Sequence, residues 1–329
     1  MIKTVVSVGL PVMETMHIKK NRLEPEHKTG NEKRVCIVTG VHGDEIEGQY
    51  ICYELIRRIK SQMGCLKGIV DIYPTINPLG MESITRRVPT FDIDMNRSFP
   101  GSRDGDMSEY AAAKIVEDIM GADFCVDLHA SNIFLREIPQ ARIACAHETL
   151  LMEYAKLLNV EFVWVHDSPT VGEATLYHSL NQVGVPTIAV EMGVGMRITK
   201  QFGDQLTEGI FCLLKKLGLW EGEVIEPKKP VIANEKDRVS YIHSEASGFF
   251  VPSIEHWDGL KEGDVVGDIV DSLSGEVLEH ILSPCDGTVF TLREYPVVYG
   301  GSLIARILRK EEKKPDPVKE ADASGQTCA

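Results

Sequence analysis

The sequence predicts an α/β domain followed by a smaller all-β domain. Between residues 34 and 220, short runs rich in β-branched residues alternate with longer amphipathic stretches, which is the pattern of strands and helices in an α/β sheet. From residue 239 to residue 308 the helical spacing disappears, and glycines separate short apolar runs at intervals typical of a small barrel or sandwich. Together these patterns define the predicted fold class.

Five runs in the first part of the chain are predicted to be strands. Each is a short, nearly continuous series of apolar and β-branched residues, as expected of a strand that is covered on both faces. The runs are 34–39, 68–76, 124–128, 161–165 and 186–190.

Three stretches are predicted to be helices that pack on the sheet. In 46–63 the apolar residues recur at helical spacing. Residues 108–120 are alanine-rich and open with Ser108, a residue type that often caps a helix N-terminus. Residues 200–220 repeat the helical spacing and end at Gly218, as many helices do.

The composition changes after residue 220, where prolines and charged residues indicate a linker or an edge strand. We therefore expect a catalytic domain over residues 1–224 and a C-terminal β domain over residues 225–310. Residues 311–329 are charged and nearly free of large apolar side chains. Because such a segment cannot offset the entropy of ordering, we expect a disordered tail.

Charge and composition exclude several classes of partner. The formal net charge of −14 repels nucleic acid and anionic lipid, so neither is expected to bind. The chain has no long apolar span and no signal-peptide pattern, which predicts a cytoplasmic protein. The eight cysteines form no C-x-x-C pair and mostly have apolar neighbours, as expected of reduced, buried thiols.

A metal-binding pattern follows the first predicted strand directly, in the sequence GVHGDE. His42 and Glu45 are three residues apart, so both side chains can face one ion at the sheet edge where α/β proteins bind ligands. His129 ends another apolar run and is the candidate third ligand. Two histidines and one carboxylate form the open, catalytic type of zinc site. The alternatives are a chance His-x-x-Glu match and a histidine satisfied within the core.

An isolated carboxylate, Glu191, directly follows the run 186–190 and lies beside two glycines. An apolar setting would raise its pKa toward neutrality, which suits a general base. An ion pair with a nearby arginine is an equally supported interpretation. Arg86, Asn96 and Arg97 belong to a segment rich in groups that bind carboxylates and oxyanions, although each arginine alone could simply be solvated.

Taken together, these stretches resemble the succinylglutamate desuccinylase and aspartoacylase family, a branch of the zinc carboxypeptidase-like hydrolases. The resemblance covers roughly residues 1 to 310, with GVHGDE, NPLG, DMNRSFPG, VDLH and VEMG in the family's order. It implies a mixed sheet flanked by helices and one zinc ion per chain. The implied zinc ligands are His42, Glu45 and His129.

The resemblance also implies roles for the remaining polar residues. Glu191 would be the general base and later the general acid, and Arg86 would stabilise the oxyanion, with Arg87 as the competing choice. Asn96 and Arg97 would hold a substrate carboxylate. The residue that orients the first zinc histidine, and so fixes its tautomer, would be Asp94.

In the family, a C-terminal β domain narrows the mouth of the site, so Tyr295 or Tyr299 is expected to reach the cleft. The same region resembles lipoyl and biotinyl carrier folds, but DSLSGE replaces Met-Lys-Met at its central hairpin, which argues against a carrier. Asn181 stands where aspartoacylase has a further arginine, ten residues before the catalytic glutamate. This departure argues against aspartate-type specificity.

The sequence thus predicts a zinc-dependent amidohydrolase that cleaves a small N-acyl amino acid with metal-activated water. One alternative is a metallocarboxypeptidase acting on short peptides, which shares the zinc site and the Asn-Arg pair. The other is a non-catalytic, metal-dependent protein that binds a small molecule. The acyl group, the amine and the choice of zinc over cobalt or manganese stay open. So does the oligomeric state, with a homo-oligomer as one alternative.

Overall fold

The computed structural model describes residues 1–166, 174–234 and 238–310. The described strands are β1 (Ile2–Gly9), β2 (Thr15–Leu23), β3 (Arg34–Thr39), β4 (Ile69–Tyr73), β5 (Phe124–Ala130), β6 (Leu135–Ala144), β7 (Phe162–His166), β8 (Thr187–Gly193), β9 (Val231–Asn234), β10 (Val239–His243), β11 (Gly248–Pro252), β12 (Gly259–Leu260), β13 (Val265–Val270), β14 (Val277–Leu282), β15 (Gly287–Arg293), β16 (Val297–Val298) and β17 (Leu303–Arg309). The described α-helices are α1 (Glu47–Ser61), α2 (Pro78–Glu82), α3 (Met107–Ile119), α4 (Glu148–Ala155), α5 (Leu176–Gln182) and α6 (Lys200–Lys216).

Within the described residues, thirteen strands form one mixed sheet. Its main path is β1-β2-β4-β3-β5-β8-β6-β15-β17-β10, with β12 paired to β15 and β7 paired to β6 and β9. The centre is parallel, because β3 pairs in parallel with β4 and β5, and β5 pairs in parallel with β8. Strands β2 and β6 join this centre in antiparallel fashion. The predicted mixed α/β sheet is confirmed.

Helices cover both faces of the central sheet, which explains why its strands are almost uninterrupted apolar runs. Alternate residues of β3 point to opposite faces: Val35 and Ile37 pack with residues of α1 and α6, whereas Cys36 and Val38 pack with residues of α3 and α5. The two resulting apolar clusters hold the parallel strands rigidly, so their carboxyl ends form a fixed edge.

The three predicted helices are present as α1, α3 and α6, and one predicted cap is wrong. Ser108 lies inside α3, and the N-cap is Asp106, whose carboxylate accepts hydrogen bonds from the backbone N–H groups of Ser108 and Glu109. The Glu109 carboxylate in turn accepts a bond from the Asp106 N–H, which completes a capping box. Gly218 follows the end of α6 with φ +82°, as its type predicted.

The C-terminal region is a two-layered β structure that shares a sheet with the rest of the molecule. Strands β14-β13-β11-β16 form a separate antiparallel sheet, as a sandwich requires. The opposite layer, β10, β15 and β17, continues the central sheet, because β15 pairs with β6 from Thr291 opposite Glu137 to Arg293 opposite Leu135. The predicted C-terminal β architecture is confirmed, and this continuity was not predicted.

Some expectations from the sequence keep their status as predictions. The domain boundary at residue 224 is one of them, and the cytoplasmic location is another. No helix in the described ranges is both long and apolar enough to cross a membrane. The expected disordered tail, residues 311–329, lies outside the residues that the structure describes.

Candidate active site

Three buried side chains meet at the carboxyl edge of the central strands. His42 and Glu45 follow β3, and His129 lies in β5. The His42 Nδ1 atom is 2.8 Å from Glu45 Oε1, and His129 Nδ1 is 2.9 Å from Glu45 Oε2. One ligand atom from each residue can be chosen so that all lie within 4.8 Å of one another. We call His42, Glu45 and His129 the His-Glu-His cluster.

The loop that carries His42 and Glu45 is pressed against a neighbouring backbone. A Cβ atom on Gly43 would lie 2.1 Å from the carbonyl carbon of Gly80, so only glycine fits there. The Gly43 N–H donates to the carbonyl of Arg86 at 3.2 Å, and Gly40 turns the chain with φ +63°. This close approach brings Arg86 beside the cluster.

A carboxylate lies behind each histidine ring. Asp94 Oδ1 is 3.0 Å from His42 Nε2, and Asp127 Oδ1 is 3.2 Å from His129 Nε2. The contact with Asp94 is a hydrogen bond, which fixes the orientation and tautomer of the His42 ring, and the Nδ1 atoms of both rings face Glu45. Asp94 thus lies where the resemblance placed it. Asp127 was missed, although the pattern Asp-x-His in a strand, which puts both side chains on one face, was a usable signal.

The electrostatics of the cluster suit a bound cation. Burial opposes the charged form of His42, yet Glu45 and Asp94 raise its pKa above the ordinary value. Burial likewise opposes ionisation of Glu45, but the two imidazoles lower its pKa well below the ordinary value. His42 Nδ1 lies 2.8 Å from Glu45 Oε1 but, among the described residues, has no partner in hydrogen-bond geometry. Two imidazole nitrogens and an ionised carboxylate therefore form a donor set that fits a divalent metal such as zinc.

The cluster borders a cleft of about 380 Å³. The cleft wall includes most of the predicted polar residues and a set of aromatic and basic residues that were not predicted. Of the predicted residues, His42, His129, Arg86, Asn96, Arg97 and Glu191 line it.

Glu191 combines the two interpretations that the sequence left open. It lies opposite His129 in the register of β5 and β8 and lines the cleft. It also pairs with an arginine, because Arg142 Nη1 is 3.2 Å from Glu191 Oε1. Burial raises the pKa of Glu191, while Arg142 and His129 oppose this rise, and the net direction is upward. The side chain is thus both a cleft carboxylate with a raised pKa and an ion-pair partner.

The two adjacent arginines have different surroundings. Arg86 lines the cleft, and its Nη1 atom is 2.5 Å from Glu45 Oε1. Arg87 points to the outside, where it pairs with exposed Asp92 at 2.8 Å. Among the described residues, the structure therefore brings Arg86 and not Arg87 to the cluster.

Comparison of the sequence with known proteins identifies the family of the chain. Residues 31–217, more than half of the chain, match the model of the succinylglutamate desuccinylase/aspartoacylase catalytic domain. The chain belongs to the succinylglutamate desuccinylase/aspartoacylase family.

Named relatives of this family are similar over most of their length. N-alpha-acetyl-L-2,4-diaminobutyric acid deacetylase of Halomonas elongata is 28% identical over 291 residues, covering 85% of this chain and 83% of the relative. Succinylglutamate desuccinylase of Vibrio campbellii is 24% identical over 263 residues, covering 74% and 73%. The product-bound ectoine utilization protein EutE (DoeB) of Ruegeria pomeroyi superposes with a TM-score of 0.80 at 19% identity, over 94% and 95% of the two chains. The relatives named for a reaction are deacylases, which supports a hydrolase of N-acyl amino acids.

The Asn-Arg pair that the family motif singles out lies on the cleft wall. Asn96 Oδ1 accepts a hydrogen bond from the Leu176 N–H at 3.0 Å, which anchors the pair to the start of α5. Arg97 Nη1 donates to the Asn96 carbonyl at 2.9 Å. Asn181, which stands where the resemblance to aspartoacylase leads us to expect an arginine, is bonded to the backbone of Thr187 at both amide atoms and connects α5 to β8.

The expected C-terminal contribution to the cleft comes from different residues. Tyr295 is 46% exposed and packs edge-on against Phe134, with ring centroids 5.8 Å apart. Neither Tyr295 nor Tyr299 lines the cleft, since the segment after β15 leads into β16, which pairs with β11 of the second sheet. Tyr241 of β10 and Arg306 of β17 line it instead. The alternation of side chains along β10 and β17 does not reveal which face of the strands meets the cleft. The sequence therefore contained no signal for Tyr241 and Arg306.

Proposed function

We propose that this chain is a zinc-dependent amidohydrolase that removes the acyl group from a small N-acyl amino acid. The observation that carries the proposal is the convergence of the His-Glu-His cluster on a cleft that also holds Glu191. Catalytic zinc sites use such three-residue sets and leave a coordination position for water or substrate. Membership of a family that contains deacetylases and desuccinylases supports the same reaction class.

His42 and His129 would hold the zinc ion through Nδ1 and Glu45 through its carboxylate, while Asp94 and Asp127 keep the imidazole rings oriented. When bound, zinc lowers the pKa of water and polarises the scissile carbonyl. Asn96 and Arg97 would hold a substrate carboxylate, since an amide and a guanidinium are suited to that group. The amide would then lie between this pair and the cluster.

Glu191 would move the protons. Its carboxylate accepts a proton from the attacking water as the new C–O bond forms, and it later donates that proton to the amine nitrogen as the C–N bond breaks. The raised pKa of Glu191 favours this exchange, because a carboxylate that binds a proton more firmly is a better general base. Arg86 lies close enough to the cluster to donate hydrogen bonds to the oxyanion, a contribution of about 3 kcal/mol in comparable sites.

A substrate panel tests the proposed function. The purified protein is incubated with N-acetyl and N-succinyl amino acids, including N-acetyl-diaminobutyrate and N-succinylglutamate, and with a hippuryl peptide, while free amine is measured. We expect hydrolysis of at least one N-acyl amino acid, loss of activity with a chelator and recovery with zinc. Cleavage of the peptide alone would support a carboxypeptidase, and tight binding without turnover would support a non-catalytic protein. Either result would overturn the proposal.

A further inference from the structure

A chain of charged contacts connects Glu191 with the C-terminal region. Arg142 of β6 bonds two carboxylates, with Nη1 3.2 Å from Glu191 Oε1 and Nη2 2.8 Å from Glu137 Oε2. The other oxygen of Glu137 accepts a hydrogen bond from Arg306 Nη1 of β17 at 2.8 Å. Glu137 therefore bridges two arginines that come from distant parts of the sequence. We call Arg306, Glu137 and Arg142 the arginine bridge.

The arginine bridge is buried and tightly surrounded. The Glu137 side chain is 4% exposed, while those of Arg142 and Arg306 are 24% and 18% exposed toward the cleft. Trp164 lies against both guanidinium groups, at 5.3 Å from Arg142 and 5.6 Å from Arg306. Such cation–π contacts restrict the rotamers of both arginines. The bridge therefore has few alternative arrangements.

The two guanidiniums share a single buried carboxylate between them. Burial raises the pKa of Glu137, but Arg142 and Arg306 more than offset this effect and keep its pKa below the ordinary value. Without Arg306, one Glu137 oxygen would lose its partner in a medium where an unpaired charge is costly. Glu137 could then take both terminal nitrogens of Arg142 in a bidentate pair. Glu191 would lose the contact that now holds it.

We propose that Arg306 is a positioning residue: through Glu137 it fixes Arg142, and Arg142 holds the Glu191 carboxylate beside the His-Glu-His cluster. The inference rests on the proposed function, because Glu191 is the proposed base. According to this proposal, the C-terminal region contributes to the catalytic rate by positioning Glu191, in addition to lining the cleft. Groups that act in proton transfer must be held closely, and a displacement of about 1 Å can cost about 100-fold in rate.

The first test separates positioning from substrate binding. We expect Arg306→Gln to lower kcat about 10- to 100-fold while KM changes less than about 3-fold, because the substrate contacts stay in place. Arg306→Lys, which keeps a charge for Glu137, should retain most of the wild-type kcat. The matched control is Arg136→Gln, which breaks another contact of β6 with the C-terminal region, to Glu294 at 3.6 Å, outside the cleft. It should leave kcat unchanged. A rise in KM alone for Arg306→Gln would make Arg306 a substrate contact and overturn the proposal.

A double-mutant cycle tests whether Arg306 acts through Glu137. If it does, the kcat loss of the double variant Glu137→Gln/Arg306→Gln should be smaller than the product of the two single losses. Losses that multiply fully would show independent effects and contradict the proposal. If the Arg306→Gln variant does not fold, kcat and KM are measured for Glu137→Asp instead. The aspartate keeps the negative charge, but its shorter side chain cannot contact both arginines.

A crystal structure of the Arg306→Gln or Glu137→Asp variant gives a readout that does not depend on activity. We expect Arg142 to move toward residue 137 and its 3.2 Å contact with Glu191 to be lost. An unchanged contact would overturn the inference. If the wild-type protein hydrolyses no N-acyl amino acid, the proposed function fails, and this structure still decides whether Arg306 controls the position of Glu191.

Discussion

Glu191 differs from Glu45 and Asp94 in the direction of its pKa shift. Hydrogen bonding to His42 lowers the pKa of Asp94 to about 2 although burial opposes it, and the imidazoles likewise lower the pKa of Glu45. Burial raises the pKa of Glu191, even beside Arg142. Glu45 and Asp94 are thus held as permanent anions, which suits a ligand and an orienting group. Because the pKa of Glu191 is raised, this carboxylate takes up a proton more readily than Glu45 or Asp94, which suits a general base.

Replacing Glu191 by glutamine should remove the base and leave the metal site. We expect Glu191→Gln to bind zinc as the wild type does but to lose about 100- to 10,000-fold in kcat/KM. In the wild type, kcat/KM should fall as the pH falls through the raised pKa of Glu191, because a protonated carboxyl cannot accept the proton of water. That acid limb should lie above the ordinary range of a glutamate and be absent from the residual activity of the variant.

The control for this prediction is Glu294→Gln, since Glu294 is a carboxylate that lies outside the cleft lining. Metal content is measured for both variants and activity is followed over a range of pH. Wild-type rates in Glu191→Gln would remove Glu191 from the proposed role. Loss of zinc in that variant would instead make it part of the metal site.

At the scale of elements, one buried carboxylate ties the N-terminal hairpin to the parallel strands. Asp71 of β4 is fully buried and lies 3.1 Å from Lys20 and 2.6 Å from Arg22, both in β2. Arg34 of β3 also reaches it, at 3.5 Å. Strand β2 of the hairpin is therefore attached to β4 through ion pairs as well as backbone hydrogen bonds. Strand β4 leads directly into the segment around Gly80 that packs against the loop carrying His42 and Glu45.

Breaking this network should destabilise the fold strongly. We expect Asp71→Asn to lower the free energy of unfolding by about 3 to 5 kcal/mol, because Lys20 is left buried without its full charge compensation. Glu24→Gln, which breaks the exposed pair with Lys28, should cost less than about 1 kcal/mol. Urea unfolding of the three proteins measures both effects. Equal stabilities of wild type and Asp71→Asn would contradict the prediction.

The difference in stability between the wild type and Asp71→Asn should depend on pH in a defined direction. Burial raises the pKa of Asp71, but Arg22 and Lys20 outweigh this effect and lower it. Because the folded pKa lies below the unfolded value of about 4, the stabilisation is present above about pH 4 and is lost as the pH falls through the folded pKa. The gap between wild type and Asp71→Asn should therefore narrow in acid. A gap that widens there would be inconsistent with this account.

At the scale of the whole molecule, the features that could be predicted from the sequence are those that depend on residues close together in the chain. The central strands are apolar runs that end close to His42, His129 and Glu191, so their common edge follows from the order of residues alone. Strand β6 was missed because Arg136, Glu137, Gln140 and Arg142 interrupt its apolar pattern. Arg142 lines the cleft and Glu137 joins it to Arg306, so this part of β6 departs from an apolar pattern at the site, where local rules are most often broken.

The contribution of the C-terminal region was beyond local inference for a different reason. Its link to the site depends on the pairing of β15 with β6, two strands more than a hundred residues apart in the sequence. No turn or spacing records that pairing. The resemblance to the family implied a C-terminal β domain over the cleft with Tyr295 or Tyr299 reaching into it, whereas the fold brings Tyr241 and Arg306 there.

The central claim, that the His-Glu-His cluster holds the ion on which hydrolysis depends, is tested most directly by a zinc titration. Metal-free protein receives increasing amounts of zinc while hydrolysis of its best N-acyl amino acid is followed. We predict that activity rises in proportion to added zinc and reaches its plateau at one ion per chain, and that His129→Ala shows no such rise. Full activity in the metal-free protein, or the same titration curve for His129→Ala, would contradict the account.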